Sequence, residues 1–162
     1  MTVRVKVCGV TRPADARLAA ELGVDFVGLN FWPDSPRWVS VARAQEIAHA
    51  LPAHVATVGV FVNAAMDDVR VIADAVGLDY VQFHGDETVK YVASFGARAI
   101  KALGVRDAPD ARRVAEYASA AFVLVDTASA GYGGSGRTFD WEALTGVPRE
   151  RLWLAGGLTP EN

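Results

Sequence analysis

Several features that mark whole classes of protein are missing from this sequence. One cysteine cannot form an internal disulfide, and the three scattered histidines give no spacing that resembles a zinc site. The longest apolar runs, such as residues 57–62 and 120–125, fall well short of the roughly 20 residues that span a bilayer. The N-terminus alternates charged and apolar residues where a signal peptide would be continuously apolar. We therefore expect a cytoplasmic protein with no bound metal.

The sequence also has little excess of charge. Its 16 basic and 19 acidic residues give a net charge of −3, which provides no general attraction to nucleic acid or to an anionic membrane surface. Hydrophobic residues make up 51% and charged residues 22% of the chain, the balance of an ordinary globular core. Any anionic partner is therefore expected to be a small molecule held by a local site.

The chain does contain a repeated βα pattern. Amphipathic helical segments such as residues 69–76 alternate with apolar runs, and Pro13, Ser40 and Gly77 stand where helix starts and ends are expected. Continuously apolar strands favour a parallel sheet covered on both faces, either an open doubly wound sheet or a (β/α)8 barrel. The regular repeat favours the barrel. The seven predicted strands are residues 3–7, 26–30, 57–62, 80–83, 99–102, 122–125 and 152–155.

The length is short for a closed barrel. Barrels of this kind usually have at least about 200 residues, and this sequence has 162 with seven predicted strands. Its last residues begin another helix, with Thr159 as the N-cap and Pro160 at the first helical position. We expect one α/β barrel domain over residues 1–162 that lacks its last βα unit.

Residues that could carry chemistry follow the predicted strands, where parallel βα folds place their sites. Cys8 is either a base or nucleophile or a small buried apolar residue. Asp126 closes an apolar strand, which favours a functional role over a simple helix cap. His84 is a possible base, although a hydrogen-bonded packing role is commoner. The predicted strand-end segments are residues 8–12, 30–37, 63, 84–86, 126 and 156–157.

Two glycine-rich segments suggest ligand contacts. Residues 131–138 resemble a nucleotide-phosphate loop, but Arg137 replaces its lysine and no long helix or later acidic strand end follows. A lid over a ligand, formed by Gly133, Gly134 and Gly136, is favoured, with a plain linker as the alternative. Residues 156–157 precede a helix start and suit a phosphate, with an ordinary turn as the alternative.

Arg37 lies in an aromatic loop that contains residues 31–33 and is followed by Trp38. A guanidinium there could hold a planar carboxylate through two parallel hydrogen bonds while the aromatic side chains cover a ring. The alternative is a surface arginine packed over tryptophan.

The strand-end motifs, taken in order, resemble the phosphoribosylanthranilate isomerase family of tryptophan biosynthesis. They are VKVCGVTR, FVGLNFWPDSPRWVS, VGVFVN, YVQFHGDE, FVLVDT, GYGGSGRTFDW and LAGGLTPEN. The resemblance implies a (β/α)8 barrel that converts N-(5-phosphoribosyl)anthranilate to its 1-deoxyribulose 5-phosphate product by an Amadori rearrangement without a cofactor.

The resemblance also implies roles for individual residues. Cys8 would be the general base and Asp126 the general acid, and Arg37 would contact the anthranilate carboxylate. The remaining substrate-binding residues would be Gln82, His84, Gly156 and Gly157, with the glycine turn forming half of the phosphate site. The family's other phosphate half-site, on a further strand, has no counterpart here, and Arg137 and Phe83 stand where lysine and leucine are usual.

Two other functions remain open from the sequence. One is a barrel fragment without catalysis that binds a phosphosugar or a partner subunit. The other is a dual-substrate isomerase of the histidine and tryptophan pathways, which uses two aspartates, so Cys8 argues against it. The sequence leaves open whether the protein is a monomer or a homodimer.

Overall fold

A computed structural model describes residues 3–105, 111–127, 144 and 149–161. The chain divides into two compact units, residues 1–82 and 83–162. The strands are β1 (Lys6–Cys8), β2 (Phe26–Asn30), β3 (Ala56–Phe61), β4 (Tyr80–Phe83), β5 (Ala99–Val105), β6 (Phe122–Thr127) and β7 (Leu152–Leu154). The α-helices are α1 (Pro13–Glu21), α2 (Val41–His49), α3 (Met66–Val76), α4 (Val89–Ala93) and α5 (Ala111–Glu116).

The first unit is built on adjacent strands in chain order, from β1 to β4. The pairs β1–β2 and β2–β3 are parallel, with Cys8 opposite Gly28 and Asn30 opposite Val60. Every residue of β2 is buried. This is the pattern of a parallel strand whose two faces are both covered. Phe31, just after β2, stacks on Phe61 at the end of β3 with ring centroids 5.2 Å apart.

Local sequence explains where the helices of this unit begin and end. The Ser40 hydroxyl accepts the Arg43 N–H at 3.2 Å and caps α2. Pro13 occupies the first position of α1, and Gly77 ends α3 in the left-handed conformation. The helix boundaries predicted at these three residues are confirmed.

The second unit contains the parallel strands β5, β6 and β7, with Gly104 opposite Asp126 and Val125 opposite Leu154. Val105, Val125 and Leu144 form a buried cluster. A second apolar group surrounds Phe83, whose ring lies 5.2 Å from that of Tyr91 and 4.9 Å from that of Phe95. None of the described helices is long and apolar enough to cross a membrane.

All seven predicted strands are present, but the first is placed differently from the prediction of residues 3–7. Only Lys6–Cys8 pairs with β2. Before that point the Val5 N–H donates to the Asp25 carboxylate at 2.7 Å, so a side chain satisfies this N–H, while the Val5 carbonyl oxygen accepts the Phe26 N–H of β2 at 3.1 Å. Val3 is 85% exposed, and its apolar character does not reflect burial in the sheet.

Gly59 lies on β3 where the core leaves no room for a side chain. A Cβ at this position would be 2.4 Å from Leu78 Cδ1 and 2.8 Å from the Phe61 ring. We predict that Gly59→Ala lowers the free energy of unfolding by about 1–3 kcal/mol through overpacking. Urea denaturation measures the change. The control Val71→Ala, at a position 68% exposed, should change it by less than about 0.5 kcal/mol, and equal stability of the two variants would contradict the prediction.

Candidate functional site

Cys8 is the last residue of β1, and its thiol lies beside Gly28 of the neighbouring strand. A Cβ at position 28 would be 2.9 Å from the sulfur, so the glycine makes room for the thiol. Cys8 is exposed, and the alternative of a buried apolar residue is therefore wrong. The exposed thiol at a strand end is free to act as a base when it is ionised.

Arg37 lies next to Cys8 in the first unit. Its Nη1 donates to the Cys8 carbonyl oxygen at 3.4 Å. The side chain runs along the backbone of Gly9, where a Cβ would be 2.6 Å from Arg37 Cδ. Gly9 also has a φ of +80°, which favours glycine. The turn after β1 therefore brings the thiol and the guanidinium to the same edge.

The loop that carries Arg37 is shaped by two buried polar residues that the sequence analysis did not single out. The Asn30 side chain donates to the Ser35 hydroxyl at 3.0 Å and accepts the Trp32 N–H at 2.9 Å. The Ser35 hydroxyl in turn accepts the Arg37 N–H at 3.2 Å. These bonds hold the loop in one shape. A polar Asn at the end of an apolar strand is the signal that could have revealed this.

The aromatic residues of this loop do not all serve Arg37. Phe31 is only 8% exposed and packs on Phe61, so it belongs to the core instead of covering a ring at Arg37. A largely apolar cavity of about 370 Å³ lies on the α3 side of the loop, and neither Cys8 nor Arg37 lines it. Its lining residues are Phe31, Trp32, Pro33, Phe61, Val62, Ala64, Asp68, Val71 and Ile72.

Gln82 is almost fully buried at 1% exposure, near the end of β4. Its side-chain oxygen accepts a hydrogen bond from the Lys6 ammonium at 2.9 Å. Lys6 and Cys8 are two residues apart on β1 and point to the same face of the strand. Within the first unit the buried Gln82 side chain therefore lies against Lys6, and the side-chain oxygen of Gln82 is already bound by the protein.

In the second unit, His84 and Asp126 come together. His84 follows β4, and its Nε2 lies 3.6 Å from Asp126 Oδ2 on β6. The two side chains are 18% and 12% exposed, so both are accessible to a small ligand while most of each is enclosed. An imidazole this close to a carboxylate can orient it and, when protonated, stabilise its charge.

Gly156, in the turn that follows β7, completes this group. A Cβ there would be 2.7 Å from Asp126 Oδ1 and 2.6 Å from Thr127 Oγ1. Gly156 and Gly157 have φ values of +88° and +62°. The absence of a side chain therefore lets the backbone approach the aspartate, and the Thr159 hydroxyl accepts the Glu161 N–H at 3.3 Å just beyond.

A buried ion pair also lies in the second unit, between Glu87 and Lys101. Lys101 Nζ is 2.8 Å from Glu87 Oε2, and both side chains are at most 3% exposed. Burial lowers the pKa of Lys101, and the attraction of the Glu87 charge opposes that effect. The sequence analysis missed both residues, although the lysine inside the apolar strand AIKALGV was a signal.

Some predicted site residues fall outside this description. Gly133, Gly134 and Gly136 of the predicted lid are not among the described residues. Within residues 3–105, 111–127, 144 and 149–161, no three His, Cys, Asp or Glu side chains are grouped to hold a metal ion.

The sequence matches a known family over almost its full length. Residues 5–162 match the family described as N-(5'phosphoribosyl)anthranilate (PRA) isomerase. The chain is 49% identical over 162 residues to N-(5'-phosphoribosyl)anthranilate isomerase of Stutzerimonas stutzeri, covering 99% of this chain and 78% of that protein. It is 45% identical to the protein of the same name from Myxococcus xanthus, covering 100% of this chain and 79% of that protein.

Solved structures that resemble this chain belong to the same family. The phosphoribosyl anthranilate isomerase of Thermotoga maritima has a TM-score of 0.88 and 41% identity, with 99% of this chain and 80% of that chain covered. A phosphoribosyl anthranilate isomerase in complex with reduced 1-(o-carboxyphenylamino)-1-deoxyribulose 5-phosphate has a TM-score of 0.83 and 38% identity, with 99% of this chain and 79% of that chain covered. The fold class predicted from the sequence, an α/β fold of the (β/α)8 barrel type, is confirmed.

We predict that Gly156→Ala destabilises the protein more than Gly23→Ala does. Both glycines have a positive φ, so each substitution carries a backbone cost of about 1–2 kcal/mol. A Cβ at Gly23 meets nothing within 4 Å, whereas one at Gly156 collides with Asp126 and Thr127. The extra loss at Gly156 should be about 1–3 kcal/mol by urea denaturation. Equal losses would show that the aspartate is not held against this turn.

Proposed function

Since this chain belongs to the N-(5'-phosphoribosyl)anthranilate isomerase family, we propose that Cys8, Asp126 and Arg37 carry the family's reaction in it. The reaction converts N-(5-phosphoribosyl)anthranilate to 1-(2-carboxyphenylamino)-1-deoxyribulose 5-phosphate, a step of tryptophan biosynthesis. The observation that supports the activity above all others is the match over residues 5–162. The residue roles are supported by the positions of Cys8 at the end of β1, Asp126 near the end of β6 and Arg37 in the loop that follows β2.

The chemistry requires one acid and one base. Protonation of the furanose ring oxygen breaks the bond from that oxygen to C1 and leaves an iminium ion between C1 and the anilino nitrogen. The iminium acidifies C2, and a base then removes the C2 proton to give an enamine. Tautomerisation of its hydroxyl yields the ketone, so C2 is oxidised while C1 is reduced. The electrons stay within the substrate, and the expectation that no cofactor takes part agrees with this balance.

We assign the acid to Asp126. Its carboxyl group is at the end of β6, mostly enclosed at 12% side-chain exposure, and it lies 3.6 Å from His84. General acid catalysis requires a carboxyl group that is held in position beside the ligand. Cys8 is assigned as the base, since its thiol is exposed at the end of β1 and the thiolate is the reactive form of a cysteine.

Arg37 is assigned to the anthranilate carboxylate. Its side chain is exposed, and among the described residues its guanidinium has a single hydrogen bond, the long one to the Cys8 carbonyl. Other N–H groups are therefore available for two parallel bonds to a carboxylate. Asn30 and Ser35 hold the loop that presents it.

The phosphate is assigned to the turn at Gly156 and Gly157. Backbone N–H groups in consecutive positive-φ residues form a concave surface that suits an anion. A phosphorylated compound is bound in the structure of a related phosphoribosyl anthranilate isomerase, which supports a phosphorylated small molecule as the partner.

The substrate-binding roles of Gln82 and His84, the lid role of Gly133, Gly134 and Gly136, and the exclusion of nucleic acid and membrane stay predictions. So do the cytoplasmic location and the single barrel domain lacking its last βα unit. The choice between monomer and homodimer is open, since a Thermotoga maritima relative is described both as dimeric and as monomers.

We predict that Cys8→Ala and Asp126→Asn each lower kcat by about 10²–10⁴-fold, the usual contribution of a general acid or base. Turnover of N-(5-phosphoribosyl)anthranilate by the purified chain and its variants measures this. The control Asp67→Asn changes a carboxyl group whose side chain is 93% exposed and should keep the original kcat.

The same assay separates the isomerase from the non-catalytic alternative. A purified chain that binds the reduced product analogue but gives no turnover would support a binding fragment. Turnover that survives in Cys8→Ala would remove the thiol from the mechanism and leave the family assignment intact.

Arg37→Ala is predicted to raise KM more than it lowers kcat. The carboxylate that Arg37 is proposed to bind is present in both the ground state and the transition state, so the lost interaction is uniform. Steady-state kinetics with Arg43→Ala as the control separates the two constants, because Arg43 is a half-exposed helix residue paired with Glu46. An unchanged KM with a lowered kcat would show that Arg37 acts in the chemical step instead.

A further inference from the structure

We propose that Glu87 and Lys101 are positioning residues that fix the segment after β4 and thereby hold His84 against Asp126. The inference rests on the proposed function, in which Asp126 is the acid and His84 is its neighbour. Neither Glu87 nor Lys101 is placed in contact with the substrate.

Lys101 binds the backbone on both sides of His84. Its Nζ donates to the Phe83 carbonyl oxygen at 3.3 Å and to the Gly85 carbonyl oxygen at 2.6 Å. The third bond goes to Glu87 Oε2 at 2.8 Å. An ammonium group has three donors, so these bonds use all of them. The residues that flank the histidine are therefore tied to one point on β5.

Glu87 supplies the other half of this arrangement. Its two carboxylate oxygens accept the Gly85 N–H at 3.2 and 3.0 Å. Its own carbonyl oxygen accepts the Tyr117 hydroxyl at 3.3 Å. Both the N–H and the carbonyl of Gly85 are thus bound by the ion pair, which leaves the peptide after His84 little freedom to rotate.

The energetics favour a positioning role over a stabilising one. Both side chains are at most 3% exposed, and taking two charges out of water costs about as much as their attraction returns. Burial lowers the pKa of Lys101, in agreement with that cost. The pair does form several charge-assisted hydrogen bonds to the backbone of the short segment around His84.

The geometric consequence falls on His84. Its main chain is held at the carbonyl of the preceding residue and at both polar groups of the following one, and its ring lies 3.6 Å from Asp126. A shift of about 1 Å in such a group can change a rate by up to about 10²-fold. Loss of the pair should therefore appear in kcat, through His84.

The test uses the double variant Glu87→Gln/Lys101→Met, which removes both buried charges and keeps an acceptor for the Gly85 N–H. It is made in the original protein and again in His84→Ala. We expect kcat to fall by about 10-fold to 10²-fold in the original protein and to show no further fall in His84→Ala, because coupled residues are not additive. An equal fall in both backgrounds would mean that the pair only stabilises the fold, and would overturn the proposal.

The matched control is Lys90→Met/Glu116→Gln, which makes the same two changes at exposed helix positions of the second unit. It should leave kcat unchanged. The ¹⁵N signals of the His84 ring, followed by NMR, report its position without any need for turnover. They should shift in the Glu87→Gln/Lys101→Met protein and stay unchanged in the control, and unchanged signals in both would overturn the proposal.

Two further results distinguish a failure of this positioning proposal from a failure of the proposed function. If His84→Ala has normal kcat, or if the chain gives no turnover, kcat carries no information on the position of His84, and the ring signals alone decide whether the pair positions it. If the double variant does not fold, hydrogen exchange of the Gly85 amide in the unsubstituted protein decides. We expect that amide to be protected, and free exchange would overturn the proposal.

Discussion

Parallel pairing of the strands is the constraint on which the site depends. In a parallel pair every strand ends at the same edge, so the register that places Cys8 opposite Gly28 also fixes where the thiol emerges. The same logic sets Asp126 opposite Gly104 in the second unit. Functional side chains at strand ends inherit the rigidity of the backbone ladder, while the loops after them decide which neighbours they meet.

Polar groups at these strand ends need partners inside the protein. Asn30 and Ser35 satisfy each other and the loop backbone beneath Arg37, and both are only 8% exposed. Glu87 and Lys101 do the same beneath His84, with full charges in place of neutral groups. In each case a buried polar pair defines the path of the chain for a few residues, because an unsatisfied polar group there would be costly.

The sequence was sufficient for features that depend on neighbouring residues. Hydrophobic runs located the seven strands, and Ser40 and Gly77 marked helix ends because capping is local. The start of β1 could not be predicted, since the bond from Val5 to Asp25 joins residues 20 apart. The pairing of Glu87 with Lys101 joins residues 14 apart, so the apolar neighbours of Lys101 could indicate that it is buried but not which residue is its partner.

The chemistry of the rearrangement defines which groups the protein must supply. The rearrangement moves protons and needs no external oxidant, so the protein contributes acid, base and the grip on two anionic groups. Each unit pairs one proposed proton-transfer group with one proposed anion contact. Cys8 lies beside Arg37 in the first, and Asp126 lies beside the Gly156 turn in the second. Backbone is involved in both cases, since Arg37 binds the Cys8 carbonyl oxygen and Asp126 lies where a side chain at Gly156 would otherwise be. If the proposed roles hold, an anion bound in either unit lies next to the proposed reacting group of that same unit.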